Sequence, residues 1–251
     1  MIQTSFSSLD KRVVIFAGAY GSGKTEVAVN YAAGLASSQK QPVSIIDLDI
    51  INPYFRSREA ALELEAQGVQ VISPHGEMGF ADLPIVLPEI RGAVEHSEGK
   101  VIIDVGGDDL GARVLSSLKD AFAPEGYEFL IVLNGRRPFT SDVAGSLKMI
   151  RAIEMSSRLQ FTGTVSNTHL IGETTEDTVV EGYMLAKEVG RAAGIPVTFV
   201  SVVAEVAKRL ELSEIKAPLF ALSRQLLKPW EEKDKAMRNC RNNGGLVLCR
   251  V

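Results

Sequence analysis

The chain has 251 residues, of which 45% are hydrophobic and 23% charged, and its formal net charge is −4 at neutral pH. This composition indicates one α/β domain with a sizeable core. The mild acidity leaves no global basic field that would recruit nucleic acid or anionic lipid. The polar start of the chain and the absence of a long uncharged apolar run predict a cytoplasmic protein without a signal peptide or membrane span.

Short β-branched runs alternate with longer helical patterns, which is typical of βαβ units. The predicted strands are 13–17, 43–47, 69–73, 101–105, 129–133, 161–165 and 197–200. The predicted helices are 24–38, 56–67, 83–96, 112–121, 141–157, 176–193, 204–210 and 217–228. We therefore expect a single α/β domain over residues 1–230, with a mostly parallel sheet and helices on both faces. Residues 231–251 form a C-terminal appendage, either a frayed tail or a short edge strand.

A glycine-rich motif follows the first predicted strand. Residues Gly18 to Thr25 have the sequence GAYGSGKT, which matches the phosphate-binding pattern Gly-x-x-x-x-Gly-Lys-Thr between a strand and a helix. Glycines let such a loop wrap tightly around phosphates, so that backbone N–H groups point inward. Lys24 supplies a charge for the β- and γ-phosphates, and Thr25 is placed to bind Mg²⁺. The motif predicts that the chain binds a nucleoside triphosphate.

Carboxylates close two further predicted strands. Asp47 and Asp49 close the second strand, and Asp104 closes the fourth. Because ligands bind at the carboxyl edge of such sheets, we expect these side chains to project toward the phosphates. An apolar strand ending in Asp is the Walker B pattern, in which the carboxylate holds Mg²⁺ directly or through water. The spacing Asp104-x-x-Gly107 also matches an arrangement in which a glycine N–H senses the γ-phosphate.

An asparagine follows the sixth predicted strand, where many P-loop proteins place a residue that contacts the base. Guanine-binding proteins usually have Asn-Lys-x-Asp there, and the Asp pairs with guanine. This chain has Asn167-Thr-His169-Leu170 instead, without the Asp. The difference favours adenine over guanine. The alternative is that Asn167 belongs to an ordinary turn at a strand end.

In this order, the motifs resemble the MinD/ParA/Mrp branch of P-loop NTPases, also called SIMIBI, over about residues 11–200. The segments DLDIINPYFRSRE and NGRRPFT further resemble a set of MinD-like bacterial ATP-binding proteins. The resemblance implies that Asp49 polarises the attacking water, that Asp104 is the Walker B residue and that Gly107 contacts the γ-phosphate. It also implies an ATP-dependent homodimer that acts on a protein partner.

One position departs from the family pattern. A signature lysine that reaches across the dimer normally follows the first glycine of the loop, and this chain has Ala19 there. Arg56 and Arg58 after the second strand, or Arg136 and Arg137 after the fifth, are candidates to supply the missing charge as arginine fingers. The alternative is that these arginines are solvated surface charges.

The leading hypothesis is an Mg²⁺-dependent ATPase that works as a switch on a protein partner and binds neither nucleic acid nor membrane. The alternatives are a P-loop kinase that phosphorylates a small molecule, and an ATP-responsive scaffold that barely hydrolyses. The expected catalytic residues are Lys24 and Asp49, and the expected metal site comprises Thr25, Asp47 and Asp104. The residues expected to contact the nucleotide are Gly18, Ala19, Tyr20, Gly21, Ser22, Gly23, Lys24, Thr25, Glu26, Gly107 and Asn167.

Overall fold

A computed structural model of the chain describes residues 9–38, 41–48, 58–72, 83–106, 109–122, 126–210 and 214–223. Its strands are β1 (Val13–Ala17), β2 (Val43–Leu48), β3 (Val69–Ile72), β4 (Lys100–Val105), β5 (Tyr127–Leu133), β6 (Gly163–Ser166), β7 (Val197–Val203) and β8 (Leu219–Leu222). Its α-helices are α1 (Lys24–Ser38), α2 (Arg58–Ala66), α3 (Leu83–His96), α4 (Asp109–Ser117), α5 (Val143–Ser157), α6 (Glu176–Ala193) and α7 (Ala204–Ala207).

The strands form one sheet in the order β3-β2-β4-β1-β5-β6-β7-β8, and every adjacent pair is parallel. The central strands are continuous apolar runs because both of their faces are covered. Strand β1 lies between β4 and β5, so the loop that follows it emerges at the middle of the sheet. The predicted α/β fold with a parallel sheet is confirmed.

Helices cover both faces of the sheet, as predicted. On one face, Tyr31 and Leu35 of α1 pack into a core cluster with Phe16 of β1 and Ile102 of β4. On the other face, side chains of α3, α4, α5 and α6 pack on Ile15 and other residues of the central strands. The two layers bury the sheet and hold the carboxyl ends of its strands in fixed positions.

The prediction of a helix over 217–228 is wrong where the structure describes it. Residues Leu219–Leu222 form β8 instead, in register with Val200–Val203 of β7. A four-residue apolar run does not distinguish a strand from a helix by periodicity, and the free edge of β7 provides backbone partners for it. Phe220 adds an aromatic contact with Tyr31, at a centroid distance of 6.0 Å.

Other boundaries moved by a few residues. The predicted helix over 112–121 is α4 followed by a single turn of 3₁₀-helix at Lys119–Ala121, and the predicted helix over 204–210 is reduced to the one turn of α7. Within the described segments, none of the helices is long and apolar enough to cross a lipid bilayer. The predicted appendage over 231–251 lies outside the described residues.

Candidate nucleotide site

The loop between β1 and α1 has the close backbone approaches that its glycines predict. Gly21 and Gly23 have φ angles of 74° and 83°, a region that favours glycine. A Cβ at Gly18 would lie 2.5 Å from the carbonyl oxygen of Val132. The loop also closes on itself, because the N–H of Ser22 donates to the carbonyl of Ala19 at 3.0 Å. The backbone is thus folded as a tight cradle at the carboxyl end of β1.

Helix α1 begins at Lys24, so the positive end of its dipole lies at the loop. Lys24 is buried. The hydroxyl of Thr25 donates to Oδ2 of Asp104 at 2.5 Å. The predicted loop residue and the predicted Walker B residue therefore meet, although 79 positions separate them in sequence.

The predicted metal residues are brought together at this point. Asp47 of β2 and Asp104 of β4 are register partners on adjacent strands, and both side chains are buried. They lie on the same face of the sheet as α1, because Ile45 and Ile102, two residues earlier in each strand, pack in the α1 core cluster. One hydroxyl and two carboxylates fit Mg²⁺, which proteins bind through one or two carboxylates together with substrate phosphates.

Asn167 directly follows β6 and holds the loop. Its Nδ2 donates to the carbonyl of Ser22 at 2.8 Å, and its Oδ1 accepts from the hydroxyl of Ser201 at 2.9 Å. The side chain is 3% exposed, and a Cβ at Gly23 would lie only 2.3 Å from its Nδ2. Asn167 therefore positions the phosphate loop. An amide has two donor hydrogens, and the contact of Asn167 with a base stays a prediction.

Two side chains from neighbouring loops also contact the phosphate loop. The Nε of Arg137 donates to the carbonyl of Gly21 at 2.9 Å. The Nε2 of His169 lies 3.2 Å from where a Cβ of Gly23 would be. Burial, and then the positive charge of Arg137, lower the pKa of His169 from 6.5 to about 4. The imidazole is therefore neutral at physiological pH, and its Nδ1 accepts a hydrogen bond from the N–H of Ile171.

Sequence reasoning missed the polar residues that hold these two loops together. Oδ1 of the buried Asn134 accepts from the N–H of Arg136 at 2.9 Å and from the N–H of His169 at 3.4 Å. The hydroxyl of Thr168 accepts from the N–H of Gly135 at 3.0 Å. The sequence does contain a signal for these residues. One asparagine directly follows β5 and another directly follows β6, and a buried serine, Ser201, lies inside β7.

Other predicted site residues have different surroundings. Tyr20 is 75% exposed and Ala19 is 1% exposed. The Glu26 carboxylate accepts from the Nδ2 of Asn30 on the same helix at 3.2 Å. Arg136 pairs with Glu181 on the surface of α6 at 2.5 Å. Residues Asp49, Gly107 and Arg56 lie outside the described part of the chain, and Arg58 is described only as the start of α2.

No protein-family model matches this sequence, and none of the curated proteins is similar to it. Solved structures of the protein FtsY are similar. The cell division protein FtsY of Thermotoga maritima aligns with a TM-score of 0.52 and 20% identity, over 79% of this chain and 67% of that one. FtsY of Mycoplasma mycoides aligns with a TM-score of 0.50 and 18% identity, over 79% of this chain and 63% of that one.

The chain shares the fold of these FtsY structures, and this fold agrees with the SIMIBI P-loop NTPase class that the sequence motifs predict. The signal recognition particle receptor FtsY of Elizabethkingia anophelis, solved in complex with GDP, aligns with a TM-score of 0.46 and 20% identity, over 78% of this chain and 58% of that one. The chain thus spans about two thirds of the length of these FtsY structures, or less. Membership of the narrower MinD/ParA branch stays a prediction.

Proposed function

We propose that this SIMIBI-type chain is an Mg²⁺-dependent ATPase that acts as a nucleotide-driven switch on a protein partner. The observation that carries the proposal is the hydrogen bond of 2.5 Å between Thr25 at the start of α1 and Asp104 at the end of β4. The two groups that we assign to the metal, a hydroxyl and a buried carboxylate, therefore lie beside a glycine cradle. Thr25, Asp47 and Asp104 would hold Mg²⁺ there, and the bound ion would supply positive charge that neutralises the phosphates.

The proposal of ATP rather than GTP is based on the segment after β6. Guanine recognition uses an acidic side chain that accepts from two N–H groups of the base, and the corresponding position here is Leu170, which is 43% exposed. An aliphatic side chain cannot accept those hydrogen bonds, and guanine N–H groups without an acceptor weaken binding. The remaining Nδ2 hydrogen of Asn167 suits an acceptor nitrogen that both purines carry. The proposed preference for adenine therefore rests on the absence of a hydrogen-bond acceptor in the side chain of Leu170.

The proposal of a protein partner is supported by exposed apolar side chains close to the cradle. Tyr20 within the loop is 75% exposed, and Phe139, two residues after Arg137, is 67% exposed. Large exposed apolar groups beside a ligand site are typical of interaction surfaces. A nucleotide bound in the loop would contact the backbone that carries Tyr20, so the presence of its γ-phosphate can change how this surface is presented.

The test is calorimetric titration of the protein with ATP and with GTP, each with Mg²⁺ and with EDTA, followed by measurement of released phosphate. We expect ATP to bind more tightly than GTP. We also expect EDTA to lower the affinity for the triphosphate, because it removes Mg²⁺. Equal or tighter GTP binding contradicts the adenine assignment. Phosphate transferred only when a small-molecule acceptor is added indicates the kinase alternative, and tight binding without turnover indicates the scaffold.

A matched variant makes this test specific to the metal site. Thr25→Val keeps the shape of the side chain but removes the hydroxyl that donates to Asp104. We expect its ATP affinity to become nearly insensitive to EDTA, because the metal contributes through that hydroxyl. A Thr25→Val protein with an unchanged Mg²⁺ dependence would remove Thr25 from the proposed metal site.

The proposal includes a homodimer that forms with ATP and separates after hydrolysis. It is tested by light scattering of the Asp49→Asn protein with ATP·Mg²⁺ and with ADP, because slowed hydrolysis preserves the ATP state. We expect a dimer with ATP and a monomer with ADP. A monomer in both, or the same dimer in both, would show that the nucleotide does not control assembly.

A further inference from the structure

Two adjacent arginines in the loop after β5 have opposite environments. The guanidinium of Arg136 is directed to the surface, where it pairs with the exposed Glu181 of α6. The guanidinium of Arg137 turns the other way and lies on the phosphate loop, with its Nε donating to the carbonyl of Gly21. The sequence alone treats the two residues as equivalent, and the structure separates them.

The contact with Gly21 is close. If Gly21 had a Cβ, that atom would lie 3.0 Å from Nε, 3.2 Å from Cζ and 3.5 Å from Cδ of Arg137. A side chain at this position would push the guanidinium away by a few tenths of an ångström. The φ angle of 74° also favours glycine, so the close approach of Arg137 and the loop conformation both fit the residue that is present.

The backbone holds Arg137 in this place. Its N–H donates to the carbonyl of Asn134 at 3.0 Å, and the hydroxyl of Thr140 donates to the same carbonyl at 2.8 Å. Asn134 is itself fully buried and bonded to the backbone of His169. The loop is thus preorganised, so the side chain does not have to be ordered when a ligand binds.

Within the described part of the chain, the guanidinium of Arg137 forms a single hydrogen bond. A guanidinium has five N–H donors, and the bond to Gly21 uses one. Among the described residues, Arg137 forms no ion pair with a carboxylate, whereas Arg136 does. A half-buried guanidinium with unused donors favours an anion, and the phosphate-binding loop beside it is built for one. The neutral imidazole of the neighbouring His169 accepts from the N–H of Ile171 at Nδ1, so its Nε2 carries the hydrogen and does not accept from Arg137.

We propose that Arg137 binds the phosphate chain of the nucleotide from within the same subunit, and supplies the charge for which this loop has Ala19 instead of a lysine from a partner. The proposal rests on the proposed function, since it needs a nucleotide in the loop. It has a consequence for assembly: the cation is already in place in the monomer, so hydrolysis does not require a second subunit to donate it.

The experiment compares Arg137→Ala, Arg137→Gln and Arg136→Ala with the parent protein. Affinities are measured for adenosine mono-, di- and triphosphate, each with Mg²⁺, and thermal unfolding of each variant is recorded. Arg137→Gln retains a hydrogen-bond donor for Gly21 without the charge. Arg136→Ala is the matched control, since it removes an adjacent arginine that points to the surface.

We expect Arg137→Ala and Arg137→Gln to lower the affinity for ATP at least tenfold, the affinity for ADP by a smaller factor and the affinity for AMP by the smallest factor. In Arg136→Ala, each of the three affinities should change less than twofold. A loss by the same factor for all three nucleotides would overturn the proposal, because it would assign Arg137 to the loop backbone alone. A loss in Arg136→Ala as large as in Arg137→Ala would overturn it as well. If the parent protein binds none of the three nucleotides, the proposed function itself is wrong.

Discussion

Replacement of Asn167 by alanine tests the link between the end of β6 and the phosphate loop. The change removes a donor to the Ser22 carbonyl at 2.8 Å and an acceptor for the Ser201 hydroxyl at 2.9 Å. Ser201 retains a second partner, because its hydroxyl also donates to the carbonyl of Ser166 at 3.3 Å. The lost contact to Ser201 then costs about 1 kcal/mol, and a buried loop carbonyl left without its donor costs about 1–3 kcal/mol.

The expected decrease in the free energy of unfolding is therefore about 2–4 kcal/mol for Asn167→Ala. It is measured by urea denaturation, monitored by far-UV circular dichroism. Ser166→Ala is the control, since the neighbouring Ser166 hydroxyl is buried without a hydrogen-bond partner among the described residues. Its removal should be neutral or slightly stabilising. A decrease below about 1 kcal/mol for Asn167→Ala, or equal decreases in both variants, would refute the reasoning.

Three further predictions concern binding, hydrolysis and pH. Lys24→Ala should abolish detectable ATP binding in calorimetry while the circular dichroism spectrum is preserved, because the ammonium makes a charge-assisted contact with the phosphates worth on the order of 1.5–3 kcal/mol; unchanged affinity would contradict the site. Asp49→Asn should retain ATP binding and lose most single-turnover phosphate release, since an amide does not accept a proton from water; a parental rate would transfer that role to Asp47. The folded-state pKa of His169 is lowered from 6.5 to about 4, so as pH falls below about 6.5 the unfolded state takes up a proton first and the free energy of unfolding decreases toward pH 4. Between pH 7 and pH 4.5, the free energy of unfolding of His169→Gln should fall by about 2–3 kcal/mol less than that of the parent protein, as measured by denaturation at both pH values. An unaltered pH dependence would contradict the buried neutral imidazole.

Features determined by local sequence were the ones that could be predicted. The loop over Gly18–Thr25 and the helix α1 have the expected bounds, because the glycine spacing and the adjacent apolar strand identify them within about a dozen residues. The contact of Thr25 with Asp104 was also predictable, since strand ends in a parallel sheet converge on one edge.

What could not be predicted depends on side-chain direction and on long-range pairing. Nothing local distinguishes Arg136 from Arg137, because the direction of each is fixed by the turn that Asn134 caps and by Glu181 of α6. Likewise, β8 exists as a strand because β7 presents an unpaired edge to it. The preference of an apolar tetrapeptide for strand or helix is decided by that neighbour rather than by its own sequence.

The position of β1 between β4 and β5 also sets the order in which the binding loop is completed during synthesis. The loop occupies residues 18–25, but the strand before it acquires its second neighbour only with residues 127–131 of β5. The Asn167 bond that holds Ser22 spans 145 positions. Contacts of such large sequence separation form late, because a long chain segment must be ordered before they are made. A ribosome-bound fragment that contains the whole glycine motif therefore still lacks the groups that hold its shape, and the proposed nucleotide site is complete only after residue 167 has been added.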